Sequence, residues 1–81
     1  MDAYIIRAFW DGEAGIWVAE SDDVPGLATG AATLDELVSK LALMIPELLE
    51  LNRHIIDAQP ARFEVHATKD QERLTVIRTA A

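Results

Sequence analysis

The chain contains no cysteine, so no disulfide, no thiolate nucleophile and no thiolate-ligated zinc can enter its fold or its chemistry. The lack of disulfides fits a reducing compartment, and a cytoplasmic protein is expected. Basic residues are scarce: Lys and Arg number 7 against 14 Asp and Glu, for a formal net charge of −7. Phosphate backbones are gripped through Lys and Arg with release of counterions, so no direct nucleic-acid binding is expected. Aromatic residues make up 6% of the chain and lack the interleaved basic residues of a base-stacking platform. No apolar run approaches the ~20 residues that cross a bilayer, and no basic leader opens the N-terminus, so neither a membrane span nor a signal peptide is expected. The phosphate-cradling G-x-G-x-x-G and P-loop motifs are missing, and Ser21 and Ser39 lack the G-x-S-x-G context of an activated nucleophile.

What is present is a chain of 81 residues, 51% hydrophobic and 26% charged, which reads as one globular domain over residues 1–81. A domain this small buries only about 60–65% of its unfolded surface, so covering more of it with a second copy would help. The acidic excess is uneven. Residues 1–32 hold Asp2, Asp11, Glu13, Glu20, Asp22 and Asp23 against Arg7 alone, whereas residues 58–81 hold Arg62, Lys69, Arg73 and Arg78 against Glu64, Asp70 and Glu72. An acidic field of this kind steers a basic protein partner.

The first elements are legible from pattern. Ala3 to Trp10 is a strand rich in β-branched and aromatic residues, and Arg7 marks the set Ala3, Ile5, Arg7, Phe9 as its less buried face. Asp11 to Gly15 is a polar hairpin loop, and Gly15 to Ser21 is a second strand with Ile16 and Val18 on one face and Trp17 and Ala19 on the other. A ribbon apolar on both faces needs covering twice, by the helix on one side and by another subunit on the other. Pro25-Gly26 is the signature of a type II turn, because Pro25 presets φ and Gly26 accepts a positive one. A short third strand of small residues, Leu27 to Ala32, includes Gly30, which is expected to let the following helix approach closely.

Thr33-Leu34-Asp35-Glu36 is a capping box, with the Thr33 hydroxyl toward the Glu36 amide and the Glu36 carboxylate toward the Thr33 amide. Leu34, Leu37, Val38, Leu41, Ile45, Leu48 and Leu49 then recur at helical spacing. Pro46 interrupts the pattern, and a kinked continuation to about Asn52 is expected rather than a second helix. Residues 54–60 read as a connection pinned by Ile55 and Ile56. Arg62 to Thr68 alternates as a half-exposed strand, Lys69-Asp70-Gln71 signals a turn, and Leu74 to Ile77 is either one more strand or a tail that pairs with a partner chain.

Catalytic candidates are few. Asp11, Glu13, Glu20, Asp22 and Asp23 surround two turns and offer the hard oxygens that hold Mg²⁺. A metal-dependent nuclease using Asp11, Asp22 and Asp23 is therefore the alternative function. No D-x-D-x-D-G loop supports it, and His54 and His66 have neither a ligand spacing nor a partner motif. No catalytic residue, metal or cofactor is expected.

The strings Phe9 to Leu27 (FWDGEAGIWVAESDDVPGL), Thr33 to Leu37 (TLDEL) and Pro46 to Asn52 (PELLELN) resemble a family of small bacterial proteins catalogued as a domain of unknown function, which looks like a branch of the HicB-like antitoxins. The resemblance spans roughly residues 3–55, and W-V-A-x-S-x-D-V-P-G-L is its most specific part. It implies a β-β-β-α-β core similar to a truncated ribonuclease H sheet, assembly into dimers or tetramers, and binding of a small basic mRNA-cleaving toxin without catalysis. Full antitoxins of that kind add a DNA-binding segment, and nothing basic and helical of that length follows Arg62.

The expected fold is thus α+β, a small antiparallel sheet with one long helix on one face and one further C-terminal strand in reserve. The expected function is a non-catalytic binding module that oligomerises and neutralises a small basic RNA-cleaving toxin. A purely structural homo-oligomer is the other alternative. The expected self-association face carries Ile5, Phe9, Trp17 and Ala19, while Pro25, Gly26, Thr33 and Glu36 serve as turn and cap.

Overall fold

The computed structural model describes residues 3–51 and 61–80. Strand β1 (Tyr4–Asp11) turns back into β2 (Ile16–Glu20), and β3 (Ala28–Ala31) follows. Helix α1 (Leu34–Leu51) then leads to β4 (Ala61–Lys69) and β5 (Glu72–Ala80). The five strands form one sheet in the order β3-β2-β1-β4-β5, with α1 packed against one face.

The turns form for the reasons their residues supply. In the first hairpin the Asp11 carboxylate accepts the amides of Glu13 (3.1 Å) and Ala14 (3.2 Å), while the Gly15 amide closes on the Asp11 carbonyl at 2.8 Å. Gly15 has φ 67°, where a side chain would be strained. The Leu27 amide donates to the Val24 carbonyl at 3.2 Å across Pro25-Gly26, and φ at Gly26 is 82°, the expected type II turn. The last hairpin has only Asp70 and Gln71 between its strands, both at positive φ (49° and 70°), which is the type I′ geometry that matches strand twist.

At the start of α1 the Thr33 hydroxyl accepts the Glu36 amide at 3.1 Å, the first half of the capping box. The helix continues through Pro46 to Leu51, as expected, and buries Leu37, Val38, Leu41, Ile45 and Leu49. Fully burying side chains of this size contributes about 1.5–3 kcal/mol each, which outweighs the hydrogen bond that Pro46 forfeits. The sheet answers with Ile6, Ala8, Ala19, Ala31, Phe63, Val65 and Ala67, and Val24 and Leu27 seal the turn end. The proposed stop at Asn52 and the connection with Ile55 and Ile56 lie outside the described residues.

Three expectations need correction or completion. The sheet is mixed, not antiparallel: β4 lies beside β1 and runs parallel to it, because α1 carries the chain back along the sheet before β4 begins. Leu74–Ile77 is the middle of a full strand, β5, which pairs with β4 from Lys69↔Glu72 to Ala61↔Ala80. Gly30 makes room for β2 instead of the helix, since a Cβ there would sit 2.9 Å from the Trp17 carbonyl oxygen and 3.2 Å from Ile16 Cδ1. Among the described residues, no helix is long and apolar enough to cross a membrane.

Candidate functional site

The side of the sheet away from α1 has no layer over it among the described residues. Alternate residues of β1 point there, and the registers say what surrounds them: Ile5 lies beside Glu64, Arg7 between Glu20 and His66, and Phe9 between Val18 and Thr68. One strand further out, Ile77 stands beside Glu64. Phe9 is 42% exposed and Ile77 48%, with Ile5, Ile16 and Val18 half-buried among them.

Polar groups on this face are held in place. The Arg7 guanidinium reaches Asp22 at 2.9 Å and Glu20 at 3.5 Å. The hydrogen bond to Asp22, and then its charge, raise the Arg7 pKa, and the same bond holds the Asp22 carboxyl below the usual aspartate range. His66 Nε2 lies 3.2 Å from Glu64 Oε1. The face is therefore apolar at Ile5, Phe9 and Val18, and its carboxylates from Glu20, Asp22 and Glu64 stand close to them.

The segment after β2, which carries Asp22, is itself pinned to β1. The Ser21 hydroxyl donates to the Ile5 carbonyl at 2.6 Å and accepts the amides of Asp23 (3.0 Å) and Val24 (3.3 Å). The Asp23 carboxylate accepts the Ile5 amide at 2.8 Å. Ser21 and Asp23 thus extend the sheet edge with side chains where the backbone of β2 has turned away.

This arrangement decides the sequence-derived candidates. Ile5 and Phe9 do lie together on the open face. Trp17 and Ala19 do not: β2 pairs Ala8↔Ala19 and Trp10↔Trp17, which turns both toward α1. Ala19 is 0% exposed in the core, and Trp17 packs against that core and meets Trp10 edge-to-face at 5.7 Å between ring centres. Lys69 Nζ stands 4.2 Å from the Trp10 ring centre, a cation–π contact. Trp17 also walls a shallow groove of about 310 Å³ with Leu34, Ala67, Lys69, Glu72, Arg73 and Leu74.

The alternative catalytic set is not brought together either. The Asp11 carboxylate caps its own hairpin, Asp22 is paired with Arg7, and Asp23 holds the Ile5 amide. Among the described residues no three His, Asp or Glu side chains gather to hold a metal. The sequence reading missed the Ser21 and Asp23 clamp, whose only outward signal is a pair of short hydrogen-bonding side chains directly after a strand.

A small α+β domain with one helix under a mixed sheet and an open opposite face is thereby defined. Its family is shown by comparison: a domain of unknown function (DUF1902) matches residues 3–77, and the chain belongs to that family. The fold is similar to the crystal structure of a hypothetical protein from the extremely thermophilic bacterium Thermus thermophilus, at 59% identity and a TM-score of 0.74. That likeness covers 82% of this chain and 92% of the other. No curated protein matches the chain.

Proposed function

We propose that this chain is a non-catalytic protein-binding module of HicB-like antitoxin type, which self-associates and masks a small basic RNA-cleaving toxin in the cytoplasm. The observation that carries the reading is the open sheet face, where Phe9 at 42% exposure stands beside Val18, Ile5 lies next to Glu64, and Arg7 between them holds Glu20 and Asp22. An exposed aromatic anchor on a face that also carries carboxylates suits a partner that brings apolar surface and positive charge together. The net charge of −7 would raise the rate of that encounter at low salt.

The test is a search beside this chain's gene for a short basic protein, co-purification of the two, and an RNA cleavage assay of that protein. The wild-type chain should stop the cleavage, and Phe9→Asp, folded by circular dichroism, should not. Cleavage that continues in the presence of wild-type chain would remove the toxin-masking role. RNA cleavage by this chain alone with Mg²⁺ would remove the non-catalytic reading as well.

A further inference from the structure

We propose that β5 is the site of self-association: two copies join edge to edge through antiparallel pairing of Glu72–Ala80, making one continuous sheet of ten strands. This rests on the self-associating part of the function proposed above and says where it happens.

The two edges of the sheet are treated differently. Strand β3 is four residues long, and the Lys40 ammonium donates to its Gly30 carbonyl at 2.7 Å. An edge this short offers little to a further strand. Strand β5 is nine residues long and, among the described residues, pairs only with β4. It exposes Leu74 (56%) and Ile77 (48%), and its outer side carries neither proline nor a bulge. The Arg78 guanidinium sits on the Ile77 carbonyl at 3.0 Å, an exposed contact that an incoming strand can replace.

The turn geometry says which backbone groups are free. In a type I′ turn the Glu72 amide faces the Lys69 carbonyl, so Glu72, Leu74, Val76 and Arg78 direct their backbone groups at β4. Arg73, Thr75, Ile77 and Thr79 then direct theirs outward. An antiparallel partner must match outward groups with outward groups. A two-fold register centred on Thr75 does so, with Thr75 opposite itself and Arg73 opposite Ile77.

The same register is also the one in which the side chains agree. It sets Glu72 of each copy opposite Arg78 of the other and Leu74 opposite Val76, so two ion pairs and two apolar pairs form at once. Opposite charges, apolar pairs and Thr–Thr pairs across strands are all favourable. Shifting the centre to Val76 places Glu72 opposite Ala80 and Arg78 opposite Leu74, and both ion pairs are lost. A face-to-face dimer through the open side would instead bury Arg7, Glu20, Asp22, Glu64 and His66 against their own copies, at a desolvation cost that edge pairing avoids. The isologous contact closes on itself and does not propagate into fibres.

Charge exchange tests the register. Sedimentation should show a dimer for wild type, with Glu72→Arg and Arg78→Glu each weakening it about tenfold by setting like charges opposite each other. The double variant, Glu72→Arg with Arg78→Glu, should recover wild-type affinity, and the two single variants mixed should form a heterodimer. Thr75→Pro, whose lost amide faces outward and not toward β4, should give a folded monomer. A dimer untouched by all of these but broken by Phe9→Asp would overturn the edge pairing and leave self-association standing on the open face. A monomer at every concentration would overturn both.

Discussion

Neighbouring residues of β1 meet opposite surroundings. Ile6 and Ala8, 0% and 2% exposed, lie under α1, while Phe9 one position on is 42% exposed on the other side. Strands of this composition carry apolar groups on both faces, but one helix covers only one. The difference teaches that hydrophobicity along a strand does not distinguish core from interaction surface; the layer above it does. The sharpest way to break the comparison is to truncate one large aromatic on each side. Phe63→Ala, beneath the helix, should cost about 3–5 kcal/mol in urea titration, enough to threaten a domain of this size. Phe9→Ala should stay within about 0.5 kcal/mol, as exposed substitutions do. Equal losses at the two sites would mean that the open face is core, covered in solution at all times.

Next in size is the assignment of β2. If Ala19 faces α1, Ala19→Leu forces extra methylenes into a filled core and should cost about 1–3 kcal/mol in the same titration. If it lay on the open face with Phe9, where the sequence placed it as part of a self-association surface, the change would leave the stability of the monomer nearly untouched. Gly30→Ala belongs to the same class, because its Cβ would press on the Trp17 carbonyl, and backbone yields less readily than a side-chain tip.

These positions also mark where the sequence was readable. Local chemistry was: Pro25-Gly26, Thr33 with Glu36, and the helical spacing of Leu37, Leu41 and Ile45 each act within a few residues of themselves, and the turn, the Thr33 half of the capping box and the helix stripe all appear. Facing was not. Whether Trp17 joins Phe9 or Trp10 depends on how the first hairpin closes, and a one-residue change of register exchanges the two faces. The neighbour of β1 was hidden for a related reason, since parallel β1–β4 pairing joins segments separated by the whole length of α1. Half of the candidate surface, Ile5 and Phe9, could be found because both lie on one strand, where alternation alone decides. The Asp23 carboxylate on the Ile5 amide joins residues 18 apart, and no local pattern announces it. A smaller effect tests the legible part: Thr33→Ala removes the acceptor for the Glu36 amide and should lower stability by about 1 kcal/mol.

The least of the expected effects concerns the open face alone and is read by its pH dependence. Arg7 holds the Asp22 carboxyl below its ordinary range, so the folded state favours the ionised form more than the unfolded chain does. The stabilisation is therefore complete above the unfolded aspartate value of about 4, and it is lost as pH falls below that through the folded value. The raised Arg7 pKa acts at the opposite end of the scale, above the ordinary arginine range, and does not enter this window. Asp22→Asn should therefore melt slightly below wild type at neutral pH, and the gap should close on acidification below about pH 4 and also in high salt, because both partners are exposed and screened. The core variants should show no such closure, since among the described residues no charged side chain is buried with Phe63 and Ala19. A gap for Asp22→Asn that persists unchanged into acid would mean that the substitution acts through something other than the charge pair of Asp22 with Arg7.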